Sequence, residues 1–519
     1  MIFYSQETSI ALAVASLPAV TSIFLFFNTE KKNAALILLM LSALLLRLVM
    51  ISLDPFLHEW DEHFHALVAK NMMTHPFIPM LFAHPIVQHD VTDWSYSHIW
   101  LHKQPLFLWQ MAVSMKLFGV NEIAVRLPSA IMSTISVWLT YAIAEIWVKD
   151  KKIAFTAALL SCFSFYSLEL VSGSLSLEHN DIAFIFYITL SIWCLLKYFE
   201  RGNQLKWAIG VGVAVGCAVL NKWLTGYLVF GGWGIYVLAT GGKNIRLQHI
   251  SHLLLALVVS VIVFLPWQLY ITNAFPLESA QGYKSNVEHI LTALGHPGSW
   301  SYHFQLFPIA YHLYLLPFFI SGLMIVLMAK QINRKISFAL IAMVVVLYAF
   351  FSFIVKTKMP TFTFAVSAII YILIATGIFY ALTFLSEKIK LSVKKTNFSY
   401  GILAISMACL ALKPFEIINT RSQENTQRNK RIHNTHVIKE MNDSIPARFT
   451  VLNFRKYENI DYMFYTNGTG YHFYPDSVAL DTIMLKGRKM AALDYSDQQK
   501  LPGYIRSNPA ILILDEKFE

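Results

Sequence analysis

The run AALILLMLSALLLRLVMISL, residues 34–53, decides the fold class of this chain. Arg47 is its one charged residue, and apolar side chains would occupy every face of the helix that it can form. About 20 such residues cross the hydrocarbon core of a bilayer as a helix. Strands of a membrane barrel would instead alternate apolar and polar residues, which excludes a β-barrel. The run therefore predicts a helical membrane protein.

Similar apolar runs recur along most of the 519 residues. Hydrophobic residues make up 56% of the chain and charged residues only 14%. A soluble domain carries roughly a quarter charged residues, so this composition excludes a water-soluble enzyme of this size. The predicted spans are 8–27, 34–53, 127–147, 153–171, 182–199, 207–221, 223–240, 252–271, 308–328, 337–355, 362–384 and 399–415.

Basic residues fall in alternate connections between these spans. By the positive-inside rule those connections are cytoplasmic, so the formal charge of +10 reports topology rather than nucleic-acid binding. The other connections hold most of the candidate functional residues. These predicted extracytoplasmic loops are 54–126, 172–181, 221–223, 272–307 and 356–361.

Composition also predicts three parts of the chain. Residues 1–33 form an extra N-terminal span with a cytoplasmic turn, residues 34–415 the main membrane domain, and residues 416–519 a small extracytoplasmic α/β domain. If the weak span at 207–221 or 399–415 were miscounted, this tail would change sides. Its strand-like runs are 449–454, 470–474 and 510–514. The predicted fold class is an all-α polytopic membrane protein with a small C-terminal α/β domain.

The first outer loop opens with HEWDEHFH, residues 58–65. Two adjacent carboxylates, Asp61 and Glu62, stand among three histidines beside a membrane surface. Such groups are costly to desolvate and usually face water, a metal or a substrate. The alternative is a solvated helix start, where both carboxylates interact favourably with the N-terminal end of the helix dipole.

Four cationic residues lie at the mouths of different spans on the same predicted face: Lys103, Arg126, Lys222 and Lys358. A single lysine at a span end is commonly an anchor that reaches the interface. Several of them on the side that the positive-inside rule depletes of cations indicate a function, most clearly Lys222 at the corner of an apolar hairpin. Converging cations at the outer leaflet suit the phosphate headgroup of a lipid.

Other polar residues of these loops allow two interpretations. Glu178 and Asp181, in SLSLEHND, supply further carboxylates, although an N-cap of the next helix is the favoured interpretation of Asp181. His102 and His289 come from two outer loops and predict a tentative divalent-metal site. No spacing of the HExxH type supports that site, so the sequence does not require a cofactor.

Several landmarks follow one another between residues 34 and 385. They are WDEHFHALVAKNM, HKQPLFLWQMAVSMKLFGVNEIAVRLPSA, LNKWLTG, LPWQLY, VEHI followed by HPGSWSYH, and KTKMPTF. In type and order they resemble the bacterial GT-C glycosyltransferases of the dolichyl-phosphate-mannose protein mannosyltransferase and aminoarabinose lipid A transferase (ArnT-like) group. The long string at 102–130 is the most specific of them.

The resemblance implies a role for each candidate. Asp61 takes the position of the family's catalytic first-loop aspartate, with Glu62 beside it, and Glu178 that of an acidic residue in the second loop. The four cations match positions implied to hold the donor phosphate. His102 stands where the aminoarabinose transferases carry a glutamate, and Phe362 replaces the tyrosine usual after the Lys-x-Pro-Thr turn.

The chemistry of sugar transfer suits these residue types. A polyprenyl-phosphate leaving group is a phosphomonoester with a second pKa of about 6, so it needs positive charge rather than a general acid. One carboxylate can accept the acceptor hydroxyl's proton during a direct displacement, which inverts the anomeric carbon. Asp61 is the predicted base, and Glu62 or Glu178 would orient the base or the acceptor.

The sequence thus predicts a glycosyltransferase of the bacterial inner membrane that acts on the extracytoplasmic face. Its partners would be a polyprenyl-phosphate sugar donor, membrane lipids and a lipid A, protein or glycan acceptor. A lipid-linked sugar flippase or transporter is the alternative, since about twelve spans with intramembrane charge also suit alternating access. Clustering of the polar residues on one side argues against it. An O-antigen ligase or polymerase would use a diphosphate-linked donor instead.

Overall fold

The fold was analysed in a computed structural model of the chain. It describes residues 3–174, 179–240, 242–293, 296–390, 393–444, 449–455, 457–485, 487, 489–494, 500–514 and 518. Helices dominate these residues, and one small sheet lies near the C-terminus. The predicted fold class is confirmed.

Within the described ranges, nine helical segments are long and apolar enough to cross a membrane. They are Gln6–Asn28, Lys32–Ser52, Glu122–Val148, His179–Glu200, Leu205–Lys222, Lys243–Ala274, Arg334–Ile354, Pro360–Lys388 and Asn397–Thr420. Two bent helix pairs meet the same criteria when each pair is taken together: Lys151–Cys162 with Phe165–Ser172 at 43°, and Tyr302–Tyr311 with Leu313–Met328 at 95°. A shorter apolar helix covers Leu224–Leu238. Each of the predicted spans coincides with one of these segments.

The remaining helices lie outside the long apolar segments. They are Asp61–Met72, Leu106–Phe118, Pro276–Leu291, Thr426–Ser444, Glu458–Tyr465, Ser477–Leu485 and Gly503–Arg506. The first of them carries the acidic pair of the first outer loop.

Arg47 explains the bend in the first broken span. It is fully buried in the middle of the Lys32–Ser52 helix, and its guanidinium donates to Ser133 Oγ at 2.8 Å. It also donates to the carbonyls of Ser161 (3.4 Å) and Cys162 (3.3 Å), which end the first half of the broken pair. A helix end leaves such carbonyls without intrahelical donors, and Arg47 supplies donors inside the bundle.

A pair of glycines brings two helices of the bundle into close contact. A Cβ at Gly322 would lie 1.8 Å from the carbonyl oxygen of Leu373, and one at Gly377 would lie 2.0 Å from that of Phe318. Small residues allow this close approach of membrane helices. The Leu316–Met328 helix therefore packs directly on the Ser367–Lys388 helix.

The C-terminal region (residues 416–519) contains a parallel sheet of four strands. They are β1 (Thr450–Leu452), β2 (Thr469–Gly470), β3 (Met490–Leu493) and β4 (Ile511–Leu514), in the order β2-β1-β3-β4. The strands predicted at 449–454 and 510–514 are confirmed. The prediction at 470–474 is wrong beyond Gly470, where β2 ends.

The C-terminal region packs on the end of the bundle that carries the first outer loop. Lys70 Nζ donates to the carbonyls of Met463 (2.8 Å) and Phe464 (2.9 Å), at the end of the Glu458–Tyr465 helix. Arg428 Nε donates to Asp54 Oδ1 at 2.8 Å. The tail and the 54–126 loop therefore lie on the same side of the bundle, whatever the number of spans between them.

Candidate active site

The candidate site begins where the Asp61–Met72 helix starts. Trp60 adopts a φ of 69°, and this left-handed residue turns the chain so that Asp61 is the first helical residue. Asp61 Oδ1 lies 3.5 Å from Lys103 Nζ, and the two side chains are 17% and 16% exposed. His65 Nε2, one turn further along the helix, lies 4.0 Å from the same carboxylate oxygen. A carboxylate and an ammonium group thus meet at the mouth of the bundle and stay accessible.

Glu62 points the other way, into the protein. Its side chain is 1% exposed, and its two oxygens accept from Arg126 Nε at 2.7 Å and Nη2 at 3.0 Å. His179 Nε2 lies 2.8 Å from Glu62 Oε1. Burial raises the pKa of Glu62, but the charge of Arg126 and the hydrogen bond with His179 offset this and hold it well below its usual range.

Arg126 has its donors engaged by the protein. Besides Glu62, it donates to the backbone carbonyls of Ile51, Asp54 and Phe56. This buried bidentate pair fixes the chain on both sides of Asp61. The geometry favours a positioning role for Arg126 and Glu62, while the predicted contact of Arg126 with a donor phosphate stays a prediction.

Lys222 lies at the end of the Leu205–Lys222 helix and forms an ion pair with Asp181. Its side chain is 20% exposed, whereas that of Asp181 is 3% exposed. The ammonium group also lies 4.8 Å from the ring centroid of Phe362, a cation–π contact. Asp181 lies inside the described His179–Glu200 helix, so the favoured N-cap interpretation of Asp181 is wrong.

Lys358 is buried, and backbone carbonyls surround its ammonium group. Its Nζ donates to the carbonyls of Phe351 (2.5 Å), Ser352 (2.9 Å) and Val355 (2.6 Å), at the end of a short π-helix. Burial lowers the pKa of Lys358, and the charge of Lys356 adds to the effect. The ring of Phe351 lies 4.5 Å from that of Phe362, so the surroundings of Lys358 and Lys222 are contiguous.

The rings of His102 and His289 lie near each other, while the tentative metal site stays a prediction. Their ring centroids are 6.4 Å apart, and His102 stacks on Trp94 at 5.0 Å. The residues around them connect to Lys358, because Thr357 N donates to the carbonyl of His289 at 3.3 Å. Among the residues placed by the structure, no group of three or more His, Cys, Asp or Glu side chains could hold a metal ion. Glu178, the other acidic candidate, lies outside the described residues.

Comparisons with known proteins show which proteins this chain resembles. A family model described as dolichyl-phosphate-mannose-protein mannosyltransferase matches residues 102–270. An undecaprenyl phosphate-α-4-amino-4-deoxy-L-arabinose arabinosyl transferase of Pseudomonas savastanoi pv. phaseolicola is 29% identical over 196 residues, 36% of this chain and 34% of that protein. An uncharacterized protein of Aquifex aeolicus is 26% identical over 305 residues, 58% of this chain and 56% of its own length. The chain therefore matches about a third of the length of the arabinosyl transferase.

Solved structures extend the likeness to most of the chain. The crystal structure of ArnT from Cupriavidus metallidurans bound to undecaprenyl phosphate covers 92% of this chain and 89% of its own, with a TM-score of 0.60 at 14% identity. The archaeal oligosaccharyltransferase AglB from Archaeoglobus fulgidus, in complex with an inhibitory peptide and a dolichol-phosphate, covers 85% of this chain and 65% of its own, with a TM-score of 0.52 at 13% identity. The chain has the GT-C fold. The predicted resemblance to the ArnT-like group is confirmed.

This GT-C chain also has a buried ionic network that the sequence did not reveal. Arg421 donates to Asp54 (3.2 Å) and to Glu169 (2.7 Å), and Arg428 donates to Asp54 at 2.8 Å. Burial raises the pKa of Asp54, but the hydrogen bond with His58 and the charge of Arg421 hold it well below its usual range. The network joins the tail, the first outer loop and the first bent helix pair.

A second set of contacts holds the C-terminal region against the Asp61–Met72 helix. His63 Nδ1 lies 3.2 Å from Asp461 Oδ1 across this interface. Burial lowers the pKa of His63 to about 4, and burial together with the charge of Glu458 raises that of Asp461 well above its usual range. Further along the helix, Lys70 borders a cleft of about 420 Å³ whose far wall includes Asn467.

Proposed function

We propose that this protein is an integral-membrane glycosyltransferase that moves a sugar from a polyprenyl-phosphate donor to an envelope acceptor. The observation that carries the proposal is the pair of Asp61 and Lys103, 3.5 Å apart and partly exposed at the bundle mouth. Lys222 and Lys358 share aromatic surroundings through Phe362 and Phe351. In the proposal, Asp61 and the three lysines line one chamber. A proton acceptor beside cations is what displacement of a phosphate from a sugar requires.

Asp61 acts as the base in this reaction. Its carboxylate takes the proton of the acceptor hydroxyl, whose oxygen attacks the anomeric carbon from the face opposite the phosphate. The bond between that carbon and the phosphate oxygen breaks, and both of its electrons leave with the phosphate. A single displacement inverts the configuration at the anomeric carbon.

The lysines stabilise the leaving phosphate. Lys103 forms an ion pair with the base, and Lys222 is held by Asp181 and the Phe362 ring with part of its side chain exposed. Fixed ammonium groups in a site of low dielectric stabilise the negative charge that develops on the phosphate as the bond breaks. Glu62 and Arg126 hold the start of the catalytic helix in place.

The lipid that carries the donor sugar in this proposal is a polyprenyl phosphate. ArnT was solved with undecaprenyl phosphate and AglB with a dolichol-phosphate, and this chain shares their fold. The predicted cytoplasmic connections support a chamber and a C-terminal region on the extracytoplasmic face of the inner membrane. The acceptor, a lipid A, protein or glycan, would approach between the first outer loop and the C-terminal region, where the cleft beside Lys70 opens.

The proposal is tested with purified protein in proteoliposomes and radiolabelled polyprenyl-phosphate sugars. Label transferred to an envelope extract, with inverted configuration in the product, is the expected result. Exchange of the labelled lipid between leaflets without any transfer would overturn the proposal in favour of a flippase. Mass spectrometry of envelope glycolipids and glycoproteins from a deletion strain then identifies the acceptor.

A further inference from the structure

A cleft of about 420 Å³ lies between the first outer loop and the C-terminal region. Its lining comes mainly from the last turns of the Asp61–Met72 helix, residues 81–84 of the outer loop and the turn at 466–469. This volume is in the range of small-molecule binding sites. Lys70, in the lining, lies about 14 Å further along the helix axis than Asp61 and on the opposite side of the helix. The cleft is therefore distinct from the proposed transfer chamber.

Two consecutive side chains of the catalytic helix hold both sides of this cleft. Lys70 Nζ donates to the carbonyls of Met463 at 2.8 Å and of Thr466, which belong to the C-terminal region. Asn71 Nδ2 donates to the carbonyl of Met80 at 2.9 Å, where the outer-loop segment begins. A site that the fold holds in this way needs little ordering when a ligand binds, so more of the contact energy appears as affinity.

The turn at 466–469 is held in shape by its own contacts. Thr466 Oγ1 donates to the carbonyl of Tyr462 at 2.6 Å and accepts from the backbone N–H of Gly468 at 3.1 Å. A Cβ at Gly468 would lie 2.2 Å from the hydroxyl oxygen of Tyr462, so the close packing of this turn requires glycine. The turn brings the exposed Asn467 and the neighbouring Thr469 to the cleft.

Uncharged amide and hydroxyl groups line the cleft. Asn71, Asn467 and Thr469 supply them, and together these groups donate and accept hydrogen bonds. Leu67 and Leu81 add apolar surface beside them. A sugar ring combines the same features, with hydroxyl groups around its edge and an apolar face. The lining is therefore complementary to a saccharide.

The charges in the lining argue against a phosphate or a basic peptide as the ligand. The Lys70 ammonium group has three donors and directs them at three backbone carbonyls. Within the part of the chain that the structure describes, no Asp or Glu lines the cleft. A phosphate would find the lysine already engaged, and a cationic peptide would find no carboxylate.

We infer that this cleft is an accessory site that binds a saccharide portion of the acceptor, away from the hydroxyl that reacts at Asp61. The inference rests on the proposed function and narrows its acceptor class. An acceptor anchored in this way carries sugar, as lipid A and glycans do, whereas a protein without sugar would not occupy the site.

Binding of soluble saccharides tests the inference without any donor lipid. The probes are the deacylated glucosamine disaccharide of lipid A and a disaccharide of N-acetylglucosamine, titrated by calorimetry into the full chain in nanodiscs. At least one of them should bind the wild type. Asn467→Ala and Thr469→Val should each weaken binding about fivefold, as expected for the loss of one hydrogen bond. Ala83→Trp places a large ring in the cleft and should abolish binding.

Asn273→Ala and Ala274→Trp are the matched controls, at exposed positions at the end of the Lys243–Ala274 helix. Both should bind the saccharide as the wild type does. Wild-type protein that binds neither disaccharide would overturn the inference, and so would Ala83→Trp with unchanged affinity. Binding of a serine- and threonine-containing hexapeptide in place of the saccharides would also overturn it. Failure of the proposed function is a separate result, namely no sugar transfer in the proteoliposome assay, because the titration contains no donor.

Discussion

The bundle mouth and the buried layer beneath it use the same residue types in opposite ways. At the mouth, Asp61 and Lys103 are 3.5 Å apart and about one-sixth exposed. In the layer beneath, Glu62 and Arg126 are fully buried and joined by two hydrogen bonds. The first pair is accessible to a substrate, whereas the second is enclosed by the protein and hydrogen-bonded within it.

The difference shows that two adjacent residues of one helix can have different roles, one in the proposed reaction and one in holding the fold together. Consecutive residues of a helix point about 100° apart, so Asp61 faces the chamber while Glu62 faces the core. A buried pair with one partner removed is strongly destabilising, whereas a partly exposed pair contributes little to stability. Substitutions at the two positions should therefore change different observables.

The largest effect is expected from Asp61→Asn. Loss of a general base lowers the rate of transfer by about 10³-fold, while the free energy of unfolding changes by about 1 kcal/mol or less because the ion pair is partly exposed. Initial rates in the proteoliposome assay measure the first quantity and thermal unfolding in detergent the second. Asp90→Asn, at an exposed site in the same loop, is the control and should transfer at the wild-type rate.

Glu62→Gln should reverse that pattern. The substitution leaves Arg126 buried without its counter-charge, which costs about 3 kcal/mol of unfolding free energy. Thermal unfolding in detergent would show a lower melting temperature, and protein that remains folded at low temperature should retain transfer. A variant as stable as the wild type but inactive would instead make Glu62 a catalytic residue.

Lys222→Met tests the proposed contact between Lys222 and the phosphate of the lipid. Removing one ammonium group should weaken polyprenyl-phosphate binding by roughly tenfold to a hundredfold, since hydrogen bonds to charged groups contribute about 1.5–3 kcal/mol. Binding is measured by calorimetry with the sugar-free lipid. Lys284→Met, an exposed lysine of the Pro276–Leu291 helix, is the matched control. Equal affinity of both variants would remove Lys222 from the site.

The smallest effect concerns the contact between the C-terminal region and the catalytic helix. Burial raises the pKa of Glu458 to about 7, so between its ordinary value of 4.5 and pH 7 the folded state binds more protons than the unfolded state. Stability should therefore fall by about 2 kcal/mol as the pH rises from 5 to 7, and level off above about pH 8. Melting curves at a series of pH values test this. Glu458→Gln should flatten the dependence, and a slope unchanged by the substitution would contradict the assignment.

Much of the membrane architecture could be predicted because apolar length alone defines a span. The bends could not, since the 95° break between Tyr311 and Leu313 depends on the positive φ of His312. Strand β3 was missed because its Met-Ala-Ala-Leu run lacks β-branched residues. Its stability comes from pairing with β1 and β4 on both sides, which only the tertiary fold provides.

The candidate site was predictable in its residue types but not in its pairings. Their positions near span ends and the family resemblance predicted Asp61, Lys103, Lys222 and Lys358, yet nothing in the sequence indicates that Asp181 pairs with Lys222. The network of Arg421 and Arg428 joins residues more than 250 positions apart in the chain. Such contacts depend on how the tail packs on the bundle.

The most direct test of the account is a cryo-EM structure of the wild-type protein in nanodiscs with polyprenyl phosphate. The account predicts phosphate density in contact with Lys103 and Lys222, on the side of the chamber that the Asp61 carboxylate faces. Phosphate bound at the other end of the bundle, or at this end but walled off from Asp61, would contradict it.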